Sequence, residues 1–397
     1  MKEHVEKLYT LSRKPSRRIV GLMSGTSLDG LDVALCRAEG SGPETRLQVE
    51  HFKTVPYEEG FRNAVREIFA KRQIDFQQLV LLNPDIGLQH ARMILGCLSE
   101  WGISASEVDL IASHGQTVFH APQKQHGISG FPNATLQIGD GDHIAVKTGI
   151  ITLSDFRQKH IAAGGEGAPL AVYGDYFLFS QKGENRILLN MGGIANFTFL
   201  PGNLEASLVF TTDTGPGNTL LDAFTRLHFG QPFDQNGGIA STGTIDETLL
   251  NALKDAPFFG QPFPKTTGPE VFSPDYVMNA MQVAARNDIR PQDLIATLTR
   301  FSAETIAEAI RSTMPGSNAF EVYASGGGAH NPILMGAIGR LLGKNIRLID
   351  ELGVAGDAKE AVLFAVLANE AVAGEAVYFG EKKGVPGVSM GKISFPG

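Results

Sequence analysis

Short apolar runs that break abruptly into glycine recur three times along the chain. Arg18-Ile19-Val20 leads into Gly21 to Gly30, Ile187-Leu188-Leu189 into Gly192-Gly193, and Val322-Tyr323-Ala324 into Gly326-Gly327-Gly328. Each pattern predicts a strand ending in a tight turn. After the first two turns the chain becomes apolar again, over Leu31 to Leu35 and Ile194 to Leu200, which predicts a β-hairpin opening each half. Two related α/β lobes follow from that doubling. The likeness is one of pattern, without the fixed short period of a solenoid.

Between these strands the apolar spacing turns helical. Leu294, Leu298, Phe301, Thr305, Ile306, Ala309 and Ile310 form one stripe of an amphipathic helix. A second helix is predicted from Ala358 to Ala373, after the turn at Gly353 to Gly356, and Asn83-Pro84 is expected to break a third. Strands at Leu110 to Ser113 and Ile346 to Ile349 alternate with these helices, which makes the fold class α/β. The lobe boundary is expected near Asp155. One lobe would hold residues 1–154 with 375–397, the other 155–374, and residues 1–18 would be a surface extension.

Composition narrows the function classes. At 397 residues the chain is long enough for two or three domains. Its net charge of −8, with only 19% charged residues, speaks against a nucleic-acid or anionic-membrane surface. No run approaches the roughly 18 apolar residues of a membrane helix. The first 18 residues mix Lys and Arg with Glu3 and Glu6 and carry no apolar core of a secretory signal. Cys36 and Cys97 are the only cysteines, far apart and without a CxxC, which fits a reducing cytoplasm. The outlier is glycine, with 46 residues where an average of about 7% would give far fewer.

The familiar glycine motifs are absent: neither GxxxxGK[ST] nor GxGxxG occurs. Gly387-Val388-Ser389-Met390-Gly391 matches GxSxG, but too little chain follows it to supply the partners of a nucleophile elbow. His114, His120 and His126 recur every six residues, which matches no zinc spacing. His114 does lie at the end of an apolar strand, where a doubly wound sheet presents its ligands, so it is either a substrate contact or a structural histidine.

The glycine clusters carry the chemistry. In Gly21-Leu22-Met23-Ser24-Gly25-Thr26-Ser27-Leu28-Asp29-Gly30-Leu31-Asp32, Gly25 and Gly30 allow a sharp turn with exposed N–H groups, and Thr26 and Ser27 add hydroxyl donors. Such a nest suits phosphate oxygens. Asp29 and Asp32 would repel phosphate unless a divalent cation sat between, which points to a magnesium nucleotide. In the second cluster, Thr211 to Asn218, a lone carboxylate at an open turn makes Asp213 a candidate general base. Two structural readings remain open there: Asp213 as a turn anchor, and Asn218 as a helix cap. In the third, Gly326, Gly327 and Gly328 let a flat adenine or ribose approach the backbone, with Asn331 near an N-cap and Pro332 at the first helical position.

These clusters, in this order, resemble the anhydro-N-acetylmuramic acid kinase family, of the superfamily that includes sugar kinases, Hsp70 and actin. The resemblance also rests on Ala112 to Thr117, Thr135 to Gly139, Ser154-Asp155-Phe156-Arg157, Ala163 to Leu170, Asn190 to Asn196 and Asp357-Ala358-Lys359-Glu360-Ala361. It implies two actin-like (RNase H-like) lobes with an interlobe cleft for nucleotide and substrate. ATP and Mg²⁺ would be held at Gly25 to Asp32, with further nucleotide contacts at Gly215, Gly217, Asn218, Gly326, Gly327, Gly328 and Asn331. Asp213 would be the catalytic base, Asp29 and Asp32 the metal ligands, and His114, Gln116, Asp155, Arg157 and Glu360 the substrate side.

The implied reaction uses ATP and one water to open the 1,6-anhydro ring of the sugar and phosphorylate O6, in recycling cell-wall sugars. A cytoplasmic homodimer is implied as well. Three departures from the family pattern stand out: the extension through Arg18, Glu166 where Gln is common, and Gly353 to Gly356 where a turn with proline is usual. A carboxylate at 166 facing the substrate would disfavour an anionic ligand. A levoglucosan-type anhydrosugar kinase would use the same aspartate, and an actin- or Hsp70-like ATPase scaffold would share the phosphate hairpin without needing Asp155, Arg157 and Asp213.

Overall fold

The computed structural model describes residues 1–314, 319–380 and 384–397. It divides into two compact units, one made of Met1–Phe179 with Gly353–Gly397 and one of Ser180–Leu352.

The first unit is built on strands β1 (Ser16–Ser24), β2 (Gly30–Glu39), β3 (Arg46–Pro56), β4 (Leu110–Ala121), β5 (Ala134–Ile138) and β6 (Thr152–Ser154). β1, β2 and β3 form an antiparallel meander, β4 lies parallel to β1 on its other side, and β6 lies parallel to β4. The strand Lys392–Ser394 closes the far edge and β5 pairs with β4. β1 is buried on both faces because helices cover both. One face packs Val20, Leu22, Val33 and Leu35 against Ile86 and Ile94 of the helix Phe76–Glu100. The other meets the helix Lys359–Ala373 so closely that a Cβ at Gly21 would lie 2.0 Å from the Ala361 carbonyl oxygen.

The second unit repeats the scheme with β7 (Arg186–Met191), β8 (Ile194–Leu200), β9 (Phe210–Pro216), β10 (Glu321–Ser325) and β11 (Ile346–Leu348). β7, β8 and β9 form the meander, β10 is parallel to β7 and β11 to β10. Three antiparallel strands followed by two parallel ones beside the first is the RNase H-like arrangement of an actin-like lobe, and it occurs twice. The helices Pro291–Thr313 and Pro332–Leu342 cover this sheet through Ala303, Ile306, Ile310, Leu334 and Ile338.

Both expected hairpins and the expected helices are present, with three corrections. The division falls after Phe179 and before Gly353, not near Asp155 and at 375. Helices Phe156–Ala162, Ala171–Phe179 and Lys359–Ala373 all pack in the first unit, where Phe156 and His114 contact the Phe364 ring and Lys359 pairs with Asp175 at 2.8 Å. No stretch of sequence announces that return of the chain. The surface extension is also shorter than expected. It is a helix, Lys2–Arg13, and β1 begins at Ser16, with the Arg17 guanidinium buried against Asn369 at 2.7 Å. Finally, Asn83-Pro84 does not end its helix, which runs through Pro84 from Phe76 to Glu100. The Asn83 carbonyl accepts from Asp140 N–H (3.2 Å) and its side chain from Gly139 N–H (2.9 Å), so a neighbouring turn supplies partners beside the proline.

Candidate active site

In the first unit the turn from Gly25 to Asp29 joins β1 to β2. Its left-handed residue is Leu28 (φ 61°), not a glycine, and the Leu28 side chain is buried to pin the turn. Gly30 is required for close approach instead: a Cβ there would sit 2.5 Å from the Val55 carbonyl oxygen. Gly25 has open space, with nothing nearer than Ser27 Oγ at 3.5 Å. Thr26, Ser27 and Asp29 are exposed around it, and Leu31 is buried beneath.

The turn rests on a buried polar chain that the sequence did not reveal. Ser24 Oγ donates to Gln116 Oε1 (2.5 Å) and Gln116 Nε2 donates to the Gly25 carbonyl (3.4 Å). Tyr57 O–H reaches Ser24 Oγ (2.8 Å) and lies 2.9 Å from His90 Nε2. Gln116 is therefore engaged in holding the hairpin, which differs from its expected place on the substrate side. Tyr57 and His90 come from elements far apart in the chain, and neither lies in a recognisable motif.

His114, Arg157 and Glu360 do come together. Arg157 Nε donates to His114 Nε2 (2.9 Å), and Nη1 donates to the Gly167 carbonyl (2.7 Å). Bidentate pairing with a ligand through Nε is thus excluded while that bond stands. Burial lowers the Arg157 pKa and Glu360 opposes it, while Glu360 itself is raised by burial, lowered by Arg157 and raised by Asp32. His114 is held neutral, pushed down to about 3 chiefly by burial and then by the Arg157 charge. With Nε2 accepting, its proton sits on Nδ1, a buried atom with no partner among the described residues.

Asp155 is placed elsewhere, in a left-handed conformation (φ 54°) with its carboxylate bonded to Lys392. The carboxylate of Glu166 pairs with Lys124 at 2.9 Å, so its charge is met within the unit. Asp32 accepts from Thr54 Oγ1 (2.6 Å), and its pKa is raised by burial and by Asp357. Among the described residues no three His, Cys, Asp or Glu side chains form a metal cluster. Asp29 ends the glycine turn and Asp32 follows on β2, and a magnesium nucleotide takes one or two carboxylates from protein.

In the second unit, Asp213 lies on β9. Its Oδ2 accepts from Thr267 N–H at 2.8 Å, and its own N–H donates to the Lys265 carbonyl at 3.0 Å. Burial raises its pKa and the Thr267 N–H pulls it back, which makes it a stronger base than a free aspartate. The 265–267 segment was not singled out from the sequence, where Lys-Thr-Thr-Gly reads as an ordinary polar loop.

Gly217 and Asn218 have an internal role that differs from nucleotide contact through their N–H groups. Those groups donate to the carbonyls of Gly193 and Gly192, both at 2.8 Å, and the Asn218 amide donates to the Met191 carbonyl at 3.0 Å. The hairpin turn between β7 and β8 thereby satisfies the N-terminus of the helix Thr219–Phe229. Asn218 occupies the N-cap position, yet its side chain makes no cap bond. Gly215 (φ 133°) lies against the Phe259 ring. Gly326 (φ 81°) and Gly328 pack on Met191, whereas Gly327 has open space apart from Asn218 Nδ2 at 3.5 Å. Asn331 caps the helix Pro332–Leu342, accepting from Ile333 N–H (3.0 Å) and Leu334 N–H (3.1 Å).

Comparison with known proteins adds family information to this geometry. Residues 17–384 match the family model described as anhydro-N-acetylmuramic acid kinase. The chain is 55% identical over 401 residues to the anhydro-N-acetylmuramic acid kinase of Pseudoalteromonas atlantica, with 100% of both chains covered. It is 51% identical to that of Pseudoalteromonas translucida, again over 100% of both. The enzyme of that name from Caldanaerobacter subterraneus subsp. tengcongensis is 37% identical, over 98% of this chain and 100% of its own.

Proposed function

Because the chain belongs to the anhydro-N-acetylmuramic acid kinase family, we propose that it uses ATP and one water to open the 1,6-anhydro bridge of anhydro-N-acetylmuramic acid and phosphorylate the released O6. The observation that carries the mechanism is Asp213, a half-buried carboxylate of raised pKa oriented by a backbone N–H. Asp213 takes a proton from the attacking water. The water oxygen bonds to C1, the C1–O6 bond breaks, and O6 bonds to the γ-phosphorus as ADP departs. The products are N-acetylmuramate 6-phosphate and ADP.

The glycine turn from Gly25 to Gly30 would receive phosphate oxygens, since a Cβ at Gly25 would fill space that nothing in the unit occupies. Leu28 and Leu31, both buried, set that turn's shape. Asp29 and Asp32 fit Mg²⁺ as hard oxygen donors, and the ion, when bound, would offset charge on the phosphates. In the second unit, open space at Gly327 suits it for the nucleotide's flat groups. Gly215, Gly217, Gly326, Gly328 and Asn331 act by shaping that backbone.

On the substrate side, Arg157 with His114 and Glu360 is suited to the lactyl carboxylate and neighbouring polar groups of the sugar. The second Nη1 hydrogen and the two Nη2 hydrogens of Arg157 are the donors left for that purpose. Two free buried thiols accord with a cytoplasmic setting. A homodimer is the assembly the family resemblance implies, and sedimentation tests it.

The test is ADP release with Mg-ATP and anhydro-N-acetylmuramic acid, run beside levoglucosan, with mass spectrometry of the product. A product heavier by one phosphate and one water, formed from the muramic sugar alone, is expected. Turnover of levoglucosan instead would move the substrate class, and no stimulation by either sugar would refute the reading. Asp213→Asn should lower kcat by roughly 10²- to 10⁴-fold while ATP binding stays largely intact.

A further inference from the structure

Lys265 is a lysine at 8% exposure with no carboxylate in salt-bridge reach among the described residues. Its ammonium donates instead to the Phe258 carbonyl (3.0 Å) and the Phe259 carbonyl (3.2 Å). The rings of Phe258 and Phe263 lie 4.5 and 4.4 Å from Nζ, with Phe259 at 5.9 Å, a cation–π cage. A buried cation is costly to desolvate, so an arrangement of this kind calls for an account of what it holds.

The same residue's backbone is locked to the strand that carries Asp213. Lys265 N–H donates to Thr212 Oγ1 (3.0 Å), and its carbonyl accepts from Asp213 N–H (3.0 Å). Two residues on, Thr267 N–H donates to the Asp213 carboxylate. The Phe259 ring stands where a Cβ at Gly215, two residues after Asp213, would come within 3.1 Å. The ammonium thus ties the 258–259 turn, which packs on Gly215, to the 265–267 segment, whose Thr267 N–H meets the carboxylate.

We propose that Lys265 is a positioning residue for the base: its caged ammonium sets the register of residues 265–267 against β9, so that the Thr267 N–H meets Asp213 Oδ2. This rests on the proposed role of Asp213 and deepens it. Lys265 touches neither sugar nor nucleotide in this account, and it acts through the orientation and basicity of one carboxyl group. Burial raises the pKa of that carboxyl and the Thr267 N–H lowers it, while the Lys265 ammonium makes its own contacts with the phenylalanine carbonyls and rings.

A double-mutant cycle on the full chain tests it. Lys265→Met keeps the apolar volume and removes the cation. It should lower kcat about 10-fold with KM for ATP nearly unchanged, and move the acid limb of the kcat–pH profile upward by about one unit, as a carboxylate losing a backbone donor requires. Lys265→Arg should restore most of the activity. In an Asp213→Asn background, Lys265→Met should cost little more, since the group it positions is gone.

Equal losses in both backgrounds, or a kcat loss with an unmoved pH profile, would overturn the proposal while leaving Asp213 as the base. Full turnover of Asp213→Asn alone would instead sink the assignment of the base. If Lys265→Met shows no cooperative unfolding transition, Lys265→Gln takes its place in the cycle and the same comparison decides.

Discussion

Acid should destabilise the first unit steeply between pH 7 and 5. His90, His114 and His160 all lie there, exposed by 0%, 3% and 0%. Burial is the leading cause in each, pushing their pKa values down to about 4, about 3 and about 4. In the unfolded chain each titrates near 6.5, so below that pH the unfolded state binds protons that the folded state refuses. The stability these groups contribute is complete above pH 6.5 and is lost as pH falls toward their folded values. From pH 7 to 5 the loss is about 2 kcal/mol per histidine, or about 5–6 kcal/mol together.

Asp32 and Glu360, both raised by burial, act in the opposite direction once carboxyl groups begin to protonate. Three groups against two leave a net loss that is large beside the roughly 5–15 kcal/mol of a typical domain. The assay is urea unfolding at pH 7, 6 and 5, followed by fluorescence of Trp101, the single tryptophan and a residue of this unit. Far-UV circular dichroism provides a control, because Trp101 stacks on His51 at 5.0 Å. A change below about 2 kcal/mol between pH 7 and 5 would show that these imidazoles protonate in place, and would refute the burial argument.

Other substitutions test the supports of the site. Tyr57→Phe leaves Ser24 and His90 without a shared buried partner and should cost about 1–3 kcal/mol in urea unfolding, with a raised KM for ATP. Unchanged values of both would mean the chain beneath the hairpin is dispensable. Gly217→Ala places a Cβ 2.3 Å from the Gly192 carbonyl oxygen, so the turn between β7 and β8 must shift and kcat should fall; wild-type kinetics would contradict that packing. Asn331→Ala removes the cap of the helix Pro332–Leu342 and should lower stability by about 1 kcal/mol, read from the unfolding midpoint. Arg157→Lys keeps the charge but loses the bond from Nε to His114, and should raise KM for the sugar with KM for ATP unaltered.

What the sequence determined by itself is local. Apolar runs ending in glycine read as strand and turn, a helical apolar spacing reads as a buried stripe, and Asn-Pro reads as a helix start, so both hairpins, the stripe of Pro291–Thr313 and the cap at Asn331 were legible. The clusters around Gly25, Asp213 and Gly327 were legible for the same reason, since each keeps its chemistry within a dozen residues.

Tertiary structure decided everything that joins distant segments. The helix Lys359–Ala373 belongs to the first unit because Gly21 on β1 lets it approach, a pairing across some three hundred residues that no periodicity encodes. Gln116 holds the hairpin because Ser24 and Tyr57 arrive beside it. Asp155 faces Lys392, which lies at the other end of the chain. Asp213 could be picked out as a carboxylate at a turn, but its orientation comes from Thr267 and Lys265, more than fifty positions later. A motif shows which group is present. Its basicity depends on burial and on hydrogen bonds, which exist only once the chain has folded back on itself.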